Sequence, residues 1–497
     1  MPLTANQRAP LRRRSDLDRG PDGGAGSLAE RLGDALRDER VACLQWKGNA
    51  KQTRWMTGEG DIDLLVDPSA QARFGTVLDG LGFKRATTPY ASRLPAVESY
   101  FGHDPAMPHL IHVHAHYRLV LGRSDGTVFR LPIEETVLDS ARQGAVFRVP
   151  QPELEVVTFA LRLAARFSLR DLLRRDPRWL KSVQPELDSL LARTDARALD
   201  KIVTHHIRCV TPGFLHECLA ALRPGYSKWQ RLRLASQLRR SLVPHARRPP
   251  IGATVQRLSR RARRLAGLGP THGGNKEFAH GGSVIALAGG DGAGKTTCTR
   301  ILADWLGGEF QIMTAHMGRP PRSALTILVG GALKVARWLH LTSQDDVDGF
   351  PGLLQSARDV CTARDRYRLY ARARRFAAAG GIALCERHPF PGNYLLAGPR
   401  LEPYAAQLGA SRVGRALLAA ERRYYGDILP PDVAIVLRVE PEVAVRRKTS
   451  EPAAYVRERN RWMWEQDWTG TGAHVLDAGR PLNDVVADLK ALIWANL

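Results

Sequence analysis

Cysteine is scarce in this chain. There are six in 497 residues, scattered and without a C-x-x-C pair. That excludes a disulfide framework and a cysteine-built zinc ribbon, and it reads as free thiols in a reducing compartment. Aromatic residues make up only 7%, and no RNA-recognition signature, zinc-finger spacing or basic zipper is present, so nucleic acid is not an expected partner. Long apolar runs are missing too. The most apolar window, "ALTILVGGALKVARWL", is shorter than a membrane span and contains Lys334 and Arg337. The segment from Ala324 to Leu341 reads as a core helix, with an acceptor pocket as the alternative. No apolar stretch follows the basic residues of the first 26 positions, as it would in a signal peptide, and a cytoplasmic location is expected.

What the chain has is positive charge: 73 Lys and Arg against 50 Asp and Glu, a formal +23. Such an excess suits polyanionic company, whether nucleic acid, acidic lipid or phosphorylated small molecules, although an Arg-rich codon bias produces it as readily. At this length two or three domains are expected. Residues 1–26 read as a disordered tail, 27–150 as a domain of mixed helices and strands, and 151–240 as a helical extension. Residues 241–282 shift to Pro, Gly and Arg and read as a basic linker; its "VQRLSRRARRLAGL" stretch is read as a solvated helix. From 283 to 497 helices and strands alternate, which predicts an α/β domain with a parallel sheet flanked by helices.

The strongest signal is "SVIALAGGDGAGKTTCTRILADWL", an apolar strand, a glycine-rich loop and a helix. Gly289, Gly294, Lys295 and Thr296 satisfy G-x-x-x-x-G-K-[ST]. Glycines let the backbone N–H groups of Gly289, Gly290, Asp291, Gly292, Ala293, Gly294, Lys295, Thr296 and Thr297 curl around a phosphate at the positive end of the helix. Lys295 is expected to bridge β- and γ-phosphates and Thr296 to ligate Mg²⁺, making ATP and Mg²⁺ the implied cofactors.

The loop "GGDGAGKTT" resembles that of the thymidylate kinase family of P-loop nucleoside monophosphate kinases. Further along, Asp365-Arg366 matches the family's D-R helix, Glu386-Arg387-His388 stands at its D-R-Y, and "LPPDVAIVLRVEPEVAVRRK" is similar to its P-D…P-E-x-A-x-x-R segment. The resemblance covers residues 283–497. It implies that Glu386 holds Mg²⁺ with Thr296, that Arg366 and Arg387 clamp the acceptor phosphate, and that Asp291 faces the acceptor. It also implies that a mobile lid supplies a catalytic cation, with Arg447, Arg457, Arg459 and Arg461 as candidates. The R-E-P segment is reduced to Arg319-Pro320, and the family's thymine-reading Ser, Tyr and Gln are absent.

"LQWKGNAKQTRWMTGEGDIDLLVD" resembles the nucleotidyltransferase superfamily, in which a loop glycine precedes a strand bearing D-x-D. Alternation along the strand puts Asp61 and Asp63 on one face, suited to a shared metal. Gly48 fills the loop position and Lys47 offers a phosphate contact. The third carboxylate of the family is replaced by His114, and His112, His114 and His116 share a strand face. Imidazole suits a softer metal than Mg²⁺. The reading adopted is a degenerate or ligand-holding transferase fold.

The expectation is thus ATP-dependent phosphoryl transfer to a nucleoside monophosphate, with thymidylate the first choice. The alternatives are a sugar- or polymer-linked acceptor and a nucleotide-dependent regulatory protein. A homodimer is possible by the same resemblance.

Overall fold

In a computed structural model, the described residues are 26–88, 94, 96–122, 128–167, 178–208, 210–246, 276–339, 352–390 and 398–497. The expected tail, most of the expected basic linker with its arginine-rich stretch, and Cys209 lie outside them. The other five cysteines are free and buried. Among the described residues no helix is long and apolar enough to cross a membrane.

Among the described residues thirteen strands form the framework: β1 (Cys43–Lys47), β2 (Asp61–Val66), β3 (Lys84–Thr87), β4 (Val97–Gly102), β5 (Ile111–His116), β6 (Val120–Gly122), β7 (Val128–Arg130), β8 (Glu277–Phe278), β9 (Ser283–Gly289), β10 (Ile312–His316), β11 (Ile382–Glu386), β12 (Val433–Arg438) and β13 (Ala473–Asp477). The first sheet has the order β1-β2-β5-β4-β3-β8, and only β2 and β5 run parallel. Alternation along β5 sorts its side chains. Ile111, Val113 and Ala115 enter a core with the helices Leu28–Asp38 and Gln71–Gly80, leaving the three histidines on the opposite face. Leu28–Asp38 starts on a capping box of Ser27 and Glu30. On the histidine side of the sheet, Leu44, Trp46 and Leu65 pack against the helical extension, whose central helix Pro152–Ala164 is buried almost all round.

The second sheet is all parallel, in the order β10-β11-β9-β12-β13, with helices on both faces. Helices Lys295–Gly307 and Leu482–Asn496 cover one face and Gly352–Ala378 the other. The loops after β9 and β11 leave in opposite directions, since β10 lies beyond β11 and β12 lies on the far side of β9. Ligands of open α/β sheets bind at such a crevice.

The stretch 276–282, assigned to the linker from its composition, is structural. β8 adds to the first sheet beside β3, Phe278 stacks on Phe310 with ring centroids 4.3 Å apart, and the Trp494 indole N–H donates to the Gly82 carbonyl at 3.0 Å. Phe101 of the first sheet meets Phe310 edge-on at 4.9 Å. One apolar cluster therefore joins the two α/β units, and burying each ring contributes about 1.5–3 kcal/mol. A two-residue strand has no periodicity to read, which is why composition misassigned it.

The segment from Ala324 also differs from expectation. It is a helix, Ala324–Trp338, but only Thr326 and Leu333 in it are buried. It is not a core helix.

Candidate active site

The glycine loop closes around the start of helix Lys295–Gly307 with Gly289, Gly292 and Gly294 at φ +148°, +85° and +83°. No other residue adopts such angles without strain. Space is also short. A Cβ on Gly290 would sit 2.1 Å from Asn460 Oδ1, and one on Gly292 would sit 2.7 Å from the Ala444 carbonyl. The loop is thus pressed under the two helices that follow β12, Pro441–Arg447 and Ala453–Glu465. Asn460 fastens it, donating from Nδ2 to the Asp291 carbonyl at 2.8 Å.

Lys295 is buried and donates to the Gly290 carbonyl at 2.6 Å. Burial, reinforced by Arg387, pulls its ammonium down to about 8. The Thr296 hydroxyl donates to Glu386 Oε2 at 2.8 Å, pairing the two expected Mg²⁺ ligands across β9 and β11. Arg387 follows at φ +55°, a left-handed conformation that costs a non-glycine residue about 1–3 kcal/mol and concentrates at functional sites. Its guanidinium pairs with Asp291 Oδ1, while Arg459 reaches Asp291 Oδ2 at 3.1 Å.

These groups line a cavity of about 1020 Å³ that also takes in Arg319, Arg366 and Arg447. Eight basic side chains face three carboxylates there, an imbalance that suits a ligand rich in phosphate. No protein-family model and no curated protein matches this chain. The reading of the cavity therefore rests on its own chemistry.

The individual arginines are less uniform than their motifs suggest. Arg366 is buried: its Nε donates to the Met317 carbonyl at 2.8 Å, its terminal nitrogen meets the Tyr425 hydroxyl, and burial lowers it to about 10. Only part of its fork is left to meet a ligand. Asp365 faces away from the cavity and caps the apolar helix, accepting from Ser323 N at 2.9 Å and from the Thr326 hydroxyl at 2.6 Å. Arg447 spends its fork on the Ala478 and Gly479 carbonyls. Arg457, expected among the lid cations, is a correction. It points to solvent and forks onto Glu442 at 2.6 and 3.2 Å, because helical periodicity turns it away from Arg459. Arg461 does not line the cavity. Sequence reasoning missed Asn460; the signal available was a polar residue in register with buried Val456 and Met463.

The N-terminal cluster is built differently. Parallel pairing sets Asp61 beside His112 and Asp63 beside His114. His112 Nδ1 lies 2.7 Å from Asp61 Oδ1, while Asp63 Oδ1 has His116 Nε2 at 2.9 Å, Lys47 Nζ at 2.9 Å and His114 Nδ1 at 3.3 Å. A carboxylate only accepts, so these ring nitrogens carry the protons. Burial holds His112 down at about 3 and His116 at about 4, so both are neutral donors. Against its own burial, Asp63 is kept well below the usual carboxylate range by Lys47 and the two imidazole hydrogen bonds. Asp61, His112 and His114, and likewise Asp63, His114 and His116, bring ligand-type atoms within 4.8 Å. A metal there would move the protons to His112 Nε2 and His116 Nδ1, buried atoms with no hydrogen-bond partner among the described residues. That transfer costs on the order of 1–3 kcal/mol per site. Beside the cluster lies a cavity of about 200 Å³ with Lys47, Gly48, Lys51 and Arg162 on its walls.

Proposed function

We propose that the C-terminal unit transfers the terminal phosphoryl group of ATP to a nucleoside monophosphate, with thymidylate the first acceptor to test. The observation that carries this reading is the Thr296–Glu386 pair at 2.8 Å, set at the mouth of the glycine loop and inside a strongly basic cavity. The residues fit the implied groups. The loop has room for backbone only, its N–H groups lie at a helix start, and Lys295 waits behind it. Mg²⁺, when bound at Thr296 and Glu386, supplies neutralisation of phosphate charge.

The chain's own residues do the rest. Lys295 holds a phosphate oxygen in exchange for the Gly290 carbonyl, its present partner. Arg387 and Arg459, now neutralised by Asp291, turn to the acceptor phosphate and the moving group. Asp291 in turn meets the acceptor's sugar or phosphate. The N-terminal unit is read as a ligand-holding module: the one buried carboxylate of its D-x-D pair already accepts from Lys47, His114 and His116.

The test is ADP release from ATP and Mg²⁺ against a panel of nucleoside monophosphates, with Lys295→Ala as the blank. Lys295-dependent turnover peaking with thymidylate is the expected result. Tight ATP binding without turnover of any monophosphate would sink the reading.

A further inference from the structure

The helix Ala324–Trp338 lacks a covering partner among the described residues. Its inner side rests on helix Gly352–Ala378 through Thr326 and Leu333, and it is fastened at its start by Ser323 and Asp365. The whole opposite arc is apolar. At 100° per residue Leu325, Ile327, Leu328, Val335 and Trp338 fall on one side of the helix. Ile327 is 61% exposed, Leu328 70% and Trp338 78%. Both cations of the helix lie on one edge of this arc: Lys334 borders it, and Arg337, which reaches Gln355 at 3.3 Å, follows towards the packed side. The helix contains no acidic residue.

We infer that this face lies in the surface of an anionic lipid bilayer. Three features choose lipid over other occupants. A helix with an apolar arc, a basic edge and a tryptophan at its end is the form that sits at the boundary of headgroups and acyl chains. The chain's excess of 23 positive charges favours an anionic surface. A second copy of the same face would bring Lys334 and Arg337 against their own counterparts without a carboxylate on the helix to pair them. At 15 residues the helix lies on a bilayer and does not span it.

The arrangement has a consequence for the cavity. Arg319 lines it just ahead of the helix in the chain, and Asp365, which caps the helix, immediately precedes Arg366. Docking of the helix brings that end of the basic cavity to the lipid surface. The inference itself stands on the helix alone and does not need the kinase reading.

The test is cosedimentation of the full chain with vesicles of phosphatidylcholine and phosphatidylglycerol in equal parts, with phosphatidylcholine vesicles as the comparison. Wild type is expected to pellet with the anionic vesicles. Leu328→Glu and Trp338→Glu, both at exposed positions, are expected to weaken that association about tenfold or more with unchanged melting. Lys334→Gln with Arg337→Gln is expected to remove the preference for phosphatidylglycerol. Asp345, Asp346 and Asp348 follow the helix outside the described residues, so the charge test is confined to Lys334 and Arg337. Wild type left in the supernatant with both vesicle types would overturn the inference, as would Glu variants that pellet like wild type. A dimer that Leu328→Glu converts to monomer, without effect on pelleting, would assign the face to a second copy instead.

Discussion

Asp63 and Glu386 are both buried carboxylates on sheet strands, and they keep opposite company. Asp63 accepts from a lysine and two imidazoles, all fixed by strand pairing, beside a cavity of about 200 Å³. Glu386 accepts from the neutral hydroxyl of Thr296 at the edge of about 1020 Å³. A carboxylate whose oxygen is already shared among charged and neutral donors has given up its room for a cation. One held by a single hydroxyl can exchange that contact for a cation at small cost. Both units set a buried acid beside basic side chains, and the donor set around the acid separates them.

The comparison can be broken in several ways. The largest effect is expected at Lys295: Lys295→Ala should lower ADP release on the order of 10²–10³-fold, while Lys47→Ala leaves it unchanged. Equal losses in the two variants would mean that the sites work as one. Next comes Asn460→Ala, which strips the buried Asp291 carbonyl of its donor. It should cost about 1–3 kcal/mol in urea unfolding and weaken nucleotide binding with it.

Two smaller effects sharpen the contrast. Lys295 ionises at about 8, lowered by burial and then by Arg387, and in the proposed function its charged form is the one that meets phosphate. Nucleotide affinity should be flat below pH 7.5 and fall by up to about tenfold per pH unit above 8, as the proton must be taken up on binding. Calorimetric titration across that range would show it, and a flat profile would remove Lys295 from phosphate contact. At the N-terminal site, His114→Asp adds a carboxylate and should raise Mn²⁺ affinity about tenfold over wild type. Unchanged affinity would show that Lys47, and not the imidazole, keeps metal out. The smallest effect is expected for Arg457→Ala, whose turnover should match wild type, whereas Arg459→Ala should lower kcat.

Much of the candidate site was legible. The glycine loop, Lys295 and Thr296 were legible from residue types at fixed spacing between a strand and a helix, and Glu386 from the resemblance to the second motif of the thymidylate kinase family. Asp61 and Asp63 were legible by alternation, and their histidine neighbours by the period of two. Asn460 was not, since its partner is a backbone carbonyl in a loop far away in the chain. Nor was β8, too short to carry a pattern.

The sequence by itself determined a glycine-rich loop opening a parallel sheet, a D-x-D strand in an earlier unit, and a strong positive charge, because local spacing and composition encode each of them. Only tertiary structure decided which arginines reach the cavity, that strand pairing spends Asp63 on lysine and histidine, that residues 276–278 weld two units together, and that the apolar helix Ala324–Trp338 faces outward. Those outcomes depend on contacts between residues far apart in the chain, and nothing in a local pattern states which side of a helix will find a partner.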